Sequence, residues 1–194
     1  MTTKKRHSVT VSQVPRRLAP SKKEDLPLHL SWDLVELKKR LFFVLDLLCE
    51  HPTSVHVQCL SALDMATLNW QFRGKDRATD VLSFVPHPSA AQLARASSTS
   101  ASFVSDLGEI AVCIEVCAEQ ARRHRCSIAA EVERMLVHGL VHLKGLDHER
   151  SAPAFAVMSA VESALRRQLK KTFGEPDFCH FKNKGTARKG GVKR

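Results

Sequence analysis

The chain has 194 residues, a formal net charge of +10 and a hydrophobic fraction of 43%, which is the composition of a globular protein with one domain of ordinary size. Its longest apolar run, residues 41–45, is far too short to cross a bilayer, and no apolar run follows the basic N-terminal residues as it would in a secretory signal. These features argue against membrane-spanning and secreted proteins and predict a cytoplasmic one.

The positive charge is concentrated at the two ends of the chain. Residues 1–23 hold seven Lys or Arg and residues 181–194 hold six more, with no acidic residue in either segment. The other 17 basic residues stand against all 20 acidic residues, so the central segment is slightly acidic. Basic tails either tether a protein to phosphate in a salt-sensitive way or serve as solubilising, disordered ends.

The six cysteines form no C-x-x-C pair, and Cys113 and Cys117 have no second pair that would complete a zinc site. Several lie in apolar surroundings, where a free thiol behaves as a small hydrophobic residue. We therefore expect reduced, structural cysteines, as in the cytosol.

Apolar spacing and turn residues predict the elements of the first half of the chain. These are a weakly alternating edge strand over residues 7–14, a Pro-rich linker over 15–27, a helix over 30–50 with Ser31 as its N-cap, a β-branched strand over 55–60, and a helix opened by Ser61 that runs to about residue 72.

The second half continues with alternating strands and helices. The predicted elements are a turn over residues 73–76, a strand over 81–85, an Ala- and Ser-rich surface insertion over 86–105, a strand over 108–113, a helix to about 125, a helix capped by Ser127 that runs to Lys144, and a last helix from Ser151 to about Phe173. Strict βαβ alternation is absent, so we predict an α+β domain with one mixed sheet backed by helices.

Three histidines, His138, His142 and His148, fall within eleven residues. Positions i and i+4 of a helix face the same way, so His138 and His142 are spaced as two ligands of one metal ion. A third ligand requires the chain to leave the helix. Gly145 can adopt a positive φ at the helix end and so return His148 to the other two.

Three imidazoles with a fourth position open to water are typical of catalytic rather than structural zinc. The ligand type favours one Zn²⁺ ion, although nickel, copper and cobalt also accept imidazole. Zinc lowers the pKa of bound water towards ~7, which would supply a nucleophile at neutral pH.

The same H-x-x-x-H-x-x-G-x-x-H spacing occurs in metzincin metallopeptidases. Those enzymes carry a Glu directly after the first His, because a general base must take the proton of the water. Here that position is Gly139. A metallopeptidase-like hydrolase is therefore the less favoured alternative.

Three blocks of sequence resemble one known family. Residues 138–148, HGLVHLKGLDH, resemble the H-G-x-L-H-L-x-G-Y-D-H signature of the YbeY family of bacterial zinc-dependent endoribonucleases, with Val141 and Leu146 as apolar departures. Residues 68–84, LNWQFRGKDRATDVLSF, resemble the family's L-N-x-x-[YF]-R-[GN]-K-x-x-x-T-[DN]-V-L-S-F, and residues 107–110 resemble its L-G-[DE]-I. The likeness spans about residues 30–175.

The resemblance implies a zincin-like α+β fold with a mixed four-stranded sheet, a single zinc ion on His138, His142 and His148, and Arg73 in the catalytic cleft. Arg suits that role because its planar fork binds a phosphate bidentately and offsets charge that develops during phosphodiester cleavage.

Other residues of these blocks keep two interpretations each. Glu109 would face the metal cleft as a supporting group or base, or would point outward. Asp147 would orient an imidazole or cap the turn at the helix end. Thr79 and Asp80 would fix the turn before their strand or contact RNA.

The sequence therefore predicts a basic N-terminal extension over residues 1–27, a nuclease domain over 28–178 and a basic tail over 179–194. The resemblance implies a cytoplasmic, single-strand-specific endoribonuclease that matures the 3′ end of 16S rRNA and has RNA and the ribosomal small subunit as partners. Two alternatives stay open, the peptidase-like hydrolase and a non-catalytic ribosome assembly factor with structural zinc.

Overall fold

Two sheets and five helices make up the part of the chain that a computed structural model describes, residues 6–12, 17–18, 28–86, 105–146 and 152–181. The strands are β1 (Ser8–Ser12), β2 (Arg17–Leu18), β3 (Leu28–Trp32), β4 (Thr53–Leu60), β5 (Val81–Phe84), β6 (Ser105–Cys113) and β7 (Cys179–Phe181). The helices are α1 (Leu34–Leu48), α2 (Ala62–Arg73), α3 (Ile114–His124), α4 (Ile128–Leu143) and α5 (Ala152–Phe173).

The larger sheet has the strand order β1-β4-β6-β5. Strands β1, β4 and β6 are parallel, whereas β5 runs antiparallel to β6 and forms an edge of the sheet. This arrangement confirms the predicted α+β fold with one mixed four-stranded sheet packed with helices. It also confirms the edge strand predicted near residues 7–14.

The two faces of this sheet are covered unequally. In β4 burial alternates along the strand, and Val55 and Val57 belong to the main core that helices α1, α3, α4 and α5 complete. On the opposite face, α2 covers a smaller cluster that includes Leu60 and Met65. Helices α2 and α4 therefore lie on opposite faces of the sheet.

The predicted N-cap of the first helix is wrong by two residues. Ser31 lies in β3, where it is the register partner of His180 in β7. The N-cap is Asp33 instead, whose carboxylate accepts hydrogen bonds from the backbone N–H groups of Val35 and Glu36, both at 3.0 Å. Asp is as good an N-cap as Ser, and here the strand pairing determines which of the two is used.

A small antiparallel sheet of order β2-β3-β7 was not predicted from the sequence. Its strands are only two to five residues long and carry little periodic signal. Strand β2 lies within the predicted linker, and β7 lies within the segment predicted to be the basic tail. The predicted insertion falls almost entirely on residues 87–104, outside the described residues.

Arg40 links three helices inside the main core. Only 1% of its surface is exposed, and its guanidinium donates to Glu36 of α1 at 2.9 Å and to Glu133 of α4 at 2.8 Å. It also donates to the carbonyl oxygen of Gly174, directly after α5, at 3.1 Å. A buried Arg paired in this way holds α4 and α5 in fixed relative positions.

Five of the six cysteines are buried and none forms a disulfide, as the sequence predicts. Burial raises the pKa of the Cys59 thiol to about 12, so it remains a protonated, unreactive core residue. Within the described residues, no helix is long and apolar enough to cross a membrane.

Candidate functional site

Helix α4 presents His138 and His142 side by side. Their ring centroids are 4.6 Å apart and their planes lie at 83°. Eleven of the sixteen residues of α4 are buried, so the rigid packing of the helix fixes the backbone from which both imidazoles project. The structure thus brings together the first two predicted ligands.

Gly139, directly after His138, brings the helix close to the sheet. A Cβ atom at Gly139 would lie 3.0 Å from Cγ2 of Ile110 and 3.1 Å from Oγ of Ser83. The Ser83 hydroxyl also donates to the Gly139 carbonyl at 3.4 Å. Packing against β5 and β6 therefore favours glycine at this position over a larger side chain such as the Glu of a metallopeptidase.

The chain leaves α4 as the sequence predicts. Gly145 has a φ of +82°, and its backbone N–H donates to the His142 carbonyl at 2.8 Å. Asp147 and His148, two and three residues after Gly145, lie outside the described residues. Within the residues that the structure does describe, no three His, Cys, Asp or Glu side chains form a metal-binding group, and the third predicted ligand is not among them.

A carboxylate that was not predicted from the sequence contacts the first histidine. Nδ1 of His138 lies 2.7 Å from Oε1 of Glu162, which projects from α5. Burial of Glu162 opposes its ionisation, but the hydrogen bond from His138 and nearby positive charge together lower its pKa below the ordinary value. Glu162 is the only acidic residue of α5, and this isolation was the signal available in the sequence.

The two histidines share a cleft of about 630 Å³ with Arg73. The cleft follows the edge strand β5, with α4 on one side and the end of α2 on the other. Arg73 is the last residue of α2, because Gly74 adopts a φ of +65° and caps the helix. The structure therefore places Arg73 opposite the histidine pair.

Hydrogen bonds define the turn that follows Arg73. The amide of the buried Asn69 donates to the Arg77 carbonyl at 2.7 Å. The Asp80 carboxylate accepts from the Val81 backbone N–H at 2.9 Å and from the Gln120 amide at 2.9 Å. Burial opposes the ionisation of Asp80, but these bonds lower its pKa below the ordinary value. Asp80 thus fixes the turn, one of its two predicted roles.

The model of one protein family, described as Endoribonuclease YbeY, matches residues 32–170 of the chain. The chain belongs to this family. An Endoribonuclease YbeY from Anaeromyxobacter sp. (strain Fw109-5) is 42% identical over 102 residues, 52% of this chain and 46% of that relative. The chain thus spans about half the length of this curated relative.

A second curated relative aligns over more of its own length, and one solved structure is also similar to the chain. The Endoribonuclease YbeY of Chloroflexus aggregans (strain MD-66 / DSM 9485) is 35% identical over 115 residues, 59% of this chain and 72% of that relative. The solution structure of TM1509 from Thermotoga maritima is 24% identical, covers 87% of this chain and 96% of its own, and has a TM-score of 0.47.

Glu109 is not among the residues that line the histidine cleft. Its carboxylate accepts from the Gln58 amide at 3.2 Å, and its side chain is 53% exposed. With Gln58 and Phe84 it lines a neighbouring groove of about 590 Å³. Glu109 thus lies on the outward-facing side of β6, which is the second of its two predicted positions.

Proposed function

We propose that this YbeY-family chain is a metal-dependent endoribonuclease that cleaves single-stranded RNA. One observation carries the proposal: Arg73 and the pair His138 and His142 line the same cleft from opposite sides. Phosphodiester cleavage requires a positively charged side chain that binds the phosphate and, close to it, side chains that hold a metal ion. Arg73 can supply the first, and the two histidines can supply the second. The names of the relatives support the same activity.

The proposed metal ligands are His138, His142 and His148, with one zinc ion. The described donors fit zinc, because the imidazoles of His138 and His142 lie side by side on one helix face. In addition, Nδ1 of His138 lies 2.7 Å from a Glu162 carboxylate oxygen, which leaves Nε2 facing away from that contact. The positive φ of Gly145 supports the return of the chain towards the cleft at His148. Asp147 is proposed to orient one of these rings or to cap the turn.

When bound, zinc supplies Lewis acidity, which polarises a phosphoryl oxygen and lowers the pKa of a water molecule. Arg73 would hold the scissile phosphate through two parallel hydrogen bonds and offset the charge that its oxygens gain during cleavage. The buried face of α4 keeps the two histidines in place.

The proposed biological role is cytoplasmic maturation of ribosomal RNA, in particular of the 3′ end of 16S rRNA in the small subunit. The family description and the thirteen Lys and Arg residues of the two terminal segments support an RNA substrate. The proposed nuclease domain covers residues 28–178, between a basic N-terminal extension and a basic tail that begins at 179.

The two alternatives predict different chemistry at the same cleft. A peptidase needs a general base next to the metal, and the packing of Gly139 against Ile110 and Ser83 argues against one directly after His138. A non-catalytic assembly factor would use zinc only to hold α4 and the segment after it, and its purified form would leave RNA intact.

The test combines metal analysis with cleavage of a single-stranded RNA and of a peptide panel by the full chain. The wild type should carry one zinc per chain and cleave only RNA. His142→Ala should lose both zinc and cleavage while it keeps its circular dichroism spectrum. His180→Ala, an exposed histidine beside Asp177, is the matched control and should behave as the wild type.

Three results would overturn the proposal. A wild type that binds no zinc, or a His142→Ala variant that cleaves RNA at the parental rate, removes the metal from the reaction. A zinc-loaded wild type that leaves RNA intact, paired with a His142→Ala variant that unfolds, favours the assembly factor with structural zinc.

A further inference from the structure

Glu162 occupies an unusual position on α5. Along this helix, Met158, Leu165 and Leu169 are buried, and Glu162 falls into the same repeat of four and three residues. A carboxylate on the core-facing side of a helix is costly unless a partner compensates for its burial. Here the partner that compensates for the burial of Glu162 is His138 of α4.

The contact between Glu162 and His138 is short and largely shielded from water. Oε1 and Nδ1 lie 2.7 Å apart, and the two side chains are only 18% and 25% exposed. At this distance the Glu162 oxygen is placed to accept a hydrogen bond from an Nδ1–H of His138. A neutral imidazole that carries its proton on Nδ1 has its lone pair on Nε2, the atom that is then able to bind a metal ion.

We infer that Glu162 is a positioning residue that holds His138 in the Nδ1–H tautomer and fixes its ring orientation for metal binding through Nε2. The inference rests on the proposed function, because it assigns His138 the role of a ligand. Carboxylates that accept from a ligating imidazole fix the tautomer and make the ring a stronger donor to the metal.

The same bond also joins the two parts of the chain that flank the third predicted ligand. His138 lies before residue 148 on α4, and Glu162 lies after it on α5. Because Arg40 already holds α4 and the end of α5 together, Glu162 completes a fixed frame on both sides of that segment. The His138 ring therefore adopts its orientation before any metal binds.

Two substitutions separate the charge of Glu162 from its hydrogen bond. Glu162→Gln keeps the size and an acceptor oxygen, whereas Glu162→Leu removes the acceptor altogether. The control is Glu119→Gln, which removes the charge of Glu119 from its exposed ion pair with Arg123 on α3. Neither of these residues lines the cleft. All three variants are made in the full chain.

The first readout is the dissociation constant for Zn²⁺, measured by competition with a chromogenic chelator. Loss of a carboxylate next to a ligating histidine weakens metal binding by about 10–100-fold. We expect Glu162→Gln at the lower end of this range and Glu162→Leu at the upper end. Glu119→Gln should bind zinc as the wild type does.

The second readout is the tautomer of His138 in the metal-free protein, read from long-range ¹H–¹⁵N correlation spectra of the imidazole rings. The wild type should show Nδ1–H, and Glu162→Leu should lose this preference while its amide spectrum shows an intact fold. A merely structural role for Glu162 would not change the tautomer.

The outcomes distinguish this inference from the proposed function. If the wild type binds zinc and both Glu162 variants bind it equally well, the positioning role is wrong and the proposed function stands. If the wild type binds no zinc, the proposed function fails. The inference then fails with it, because His138 is not a ligand. A wild type that binds zinc but carries Nε2–H on His138 in its metal-free form overturns the inference alone.

Discussion

The two sides of the cleft are built in different ways. On one side, α4 is buried along eleven of its sixteen residues and is held by Arg40 of α1. On the other side, α2 has only two buried residues, Met65 and Asn69, and its last turn exposes Phe72 and Arg73. The difference matches the proposed roles, because metal ligands need a fixed geometry, whereas an Arg that binds phosphate can approach from an exposed arm.

The largest expected effect is on the rigid side. Gly108 has a φ of +126°, and a Cβ atom there would lie 2.2 Å from the carbonyl oxygen of Phe84 and 3.1 Å from Leu143 at the end of α4. Gly108→Ala should therefore lower the free energy of unfolding by roughly 2–6 kcal/mol, through backbone strain and overpacking together. Chemical denaturation measures this loss.

Gly74→Ala is the matched variant on the exposed side. Gly74 also has a positive φ, +65°, but no atom lies within 4 Å of a Cβ built there. The expected cost is only about 1 kcal/mol, from the left-handed backbone alone. Equal losses for the two variants would show that the two sides of the cleft are equally rigid and would contradict the comparison.

The next effect concerns catalysis on the exposed side. Arg73→Ala should reduce RNA cleavage by about 10²–10³-fold, the usual cost of removing one group that stabilises transition-state charge. Arg73→Lys should recover only part of this loss, because Lys lacks the planar fork. Both variants should unfold at the same denaturant concentration as the wild type, since Arg73 is exposed.

Arg123→Ala is the control, because this exposed Arg pairs with Glu119 on α3. It should cleave RNA at the wild-type rate. Wild-type rates for Arg73→Ala, or a loss of similar size for Arg123→Ala, would remove Arg73 from the mechanism and leave the exposed side without a specific role.

The smallest effect lies outside both sides of the cleft. Removal of residues 182–194 leaves β7 intact and deletes six Lys and Arg residues. RNA binding should weaken mainly at low salt. In a plot of the logarithm of the RNA affinity against the logarithm of the salt concentration, the magnitude of the slope should fall by at most about 4. An unchanged slope would show that this tail does not contact the RNA backbone.

Local signals in the sequence were enough to predict both sides of the cleft. Ser61 and Ser127 cap α2 and α4 as predicted, and Gly145 has the predicted positive φ. These features depend on residues a few positions apart, so periodicity and capping preferences reveal them.

Features that depend on distant residues could not be predicted in this way. Ser31 and Asp33 are both good N-caps, and only the pairing of β3 with β7 determines which one is used. Glu162 lies 24 residues from His138, and its role follows from the packing of α5 on α4. The outward position of Glu109 follows from its register in the sheet.

The central claim is that His138 and His142 hold one metal ion together with His148. The most direct test is anomalous diffraction at the zinc edge from crystals of the zinc-loaded full chain. We predict a single peak at about 2.0–2.1 Å from one ring nitrogen of each of these three histidines, with no fourth protein ligand. A peak elsewhere, or a fourth side chain that closes the coordination sphere, would contradict the account.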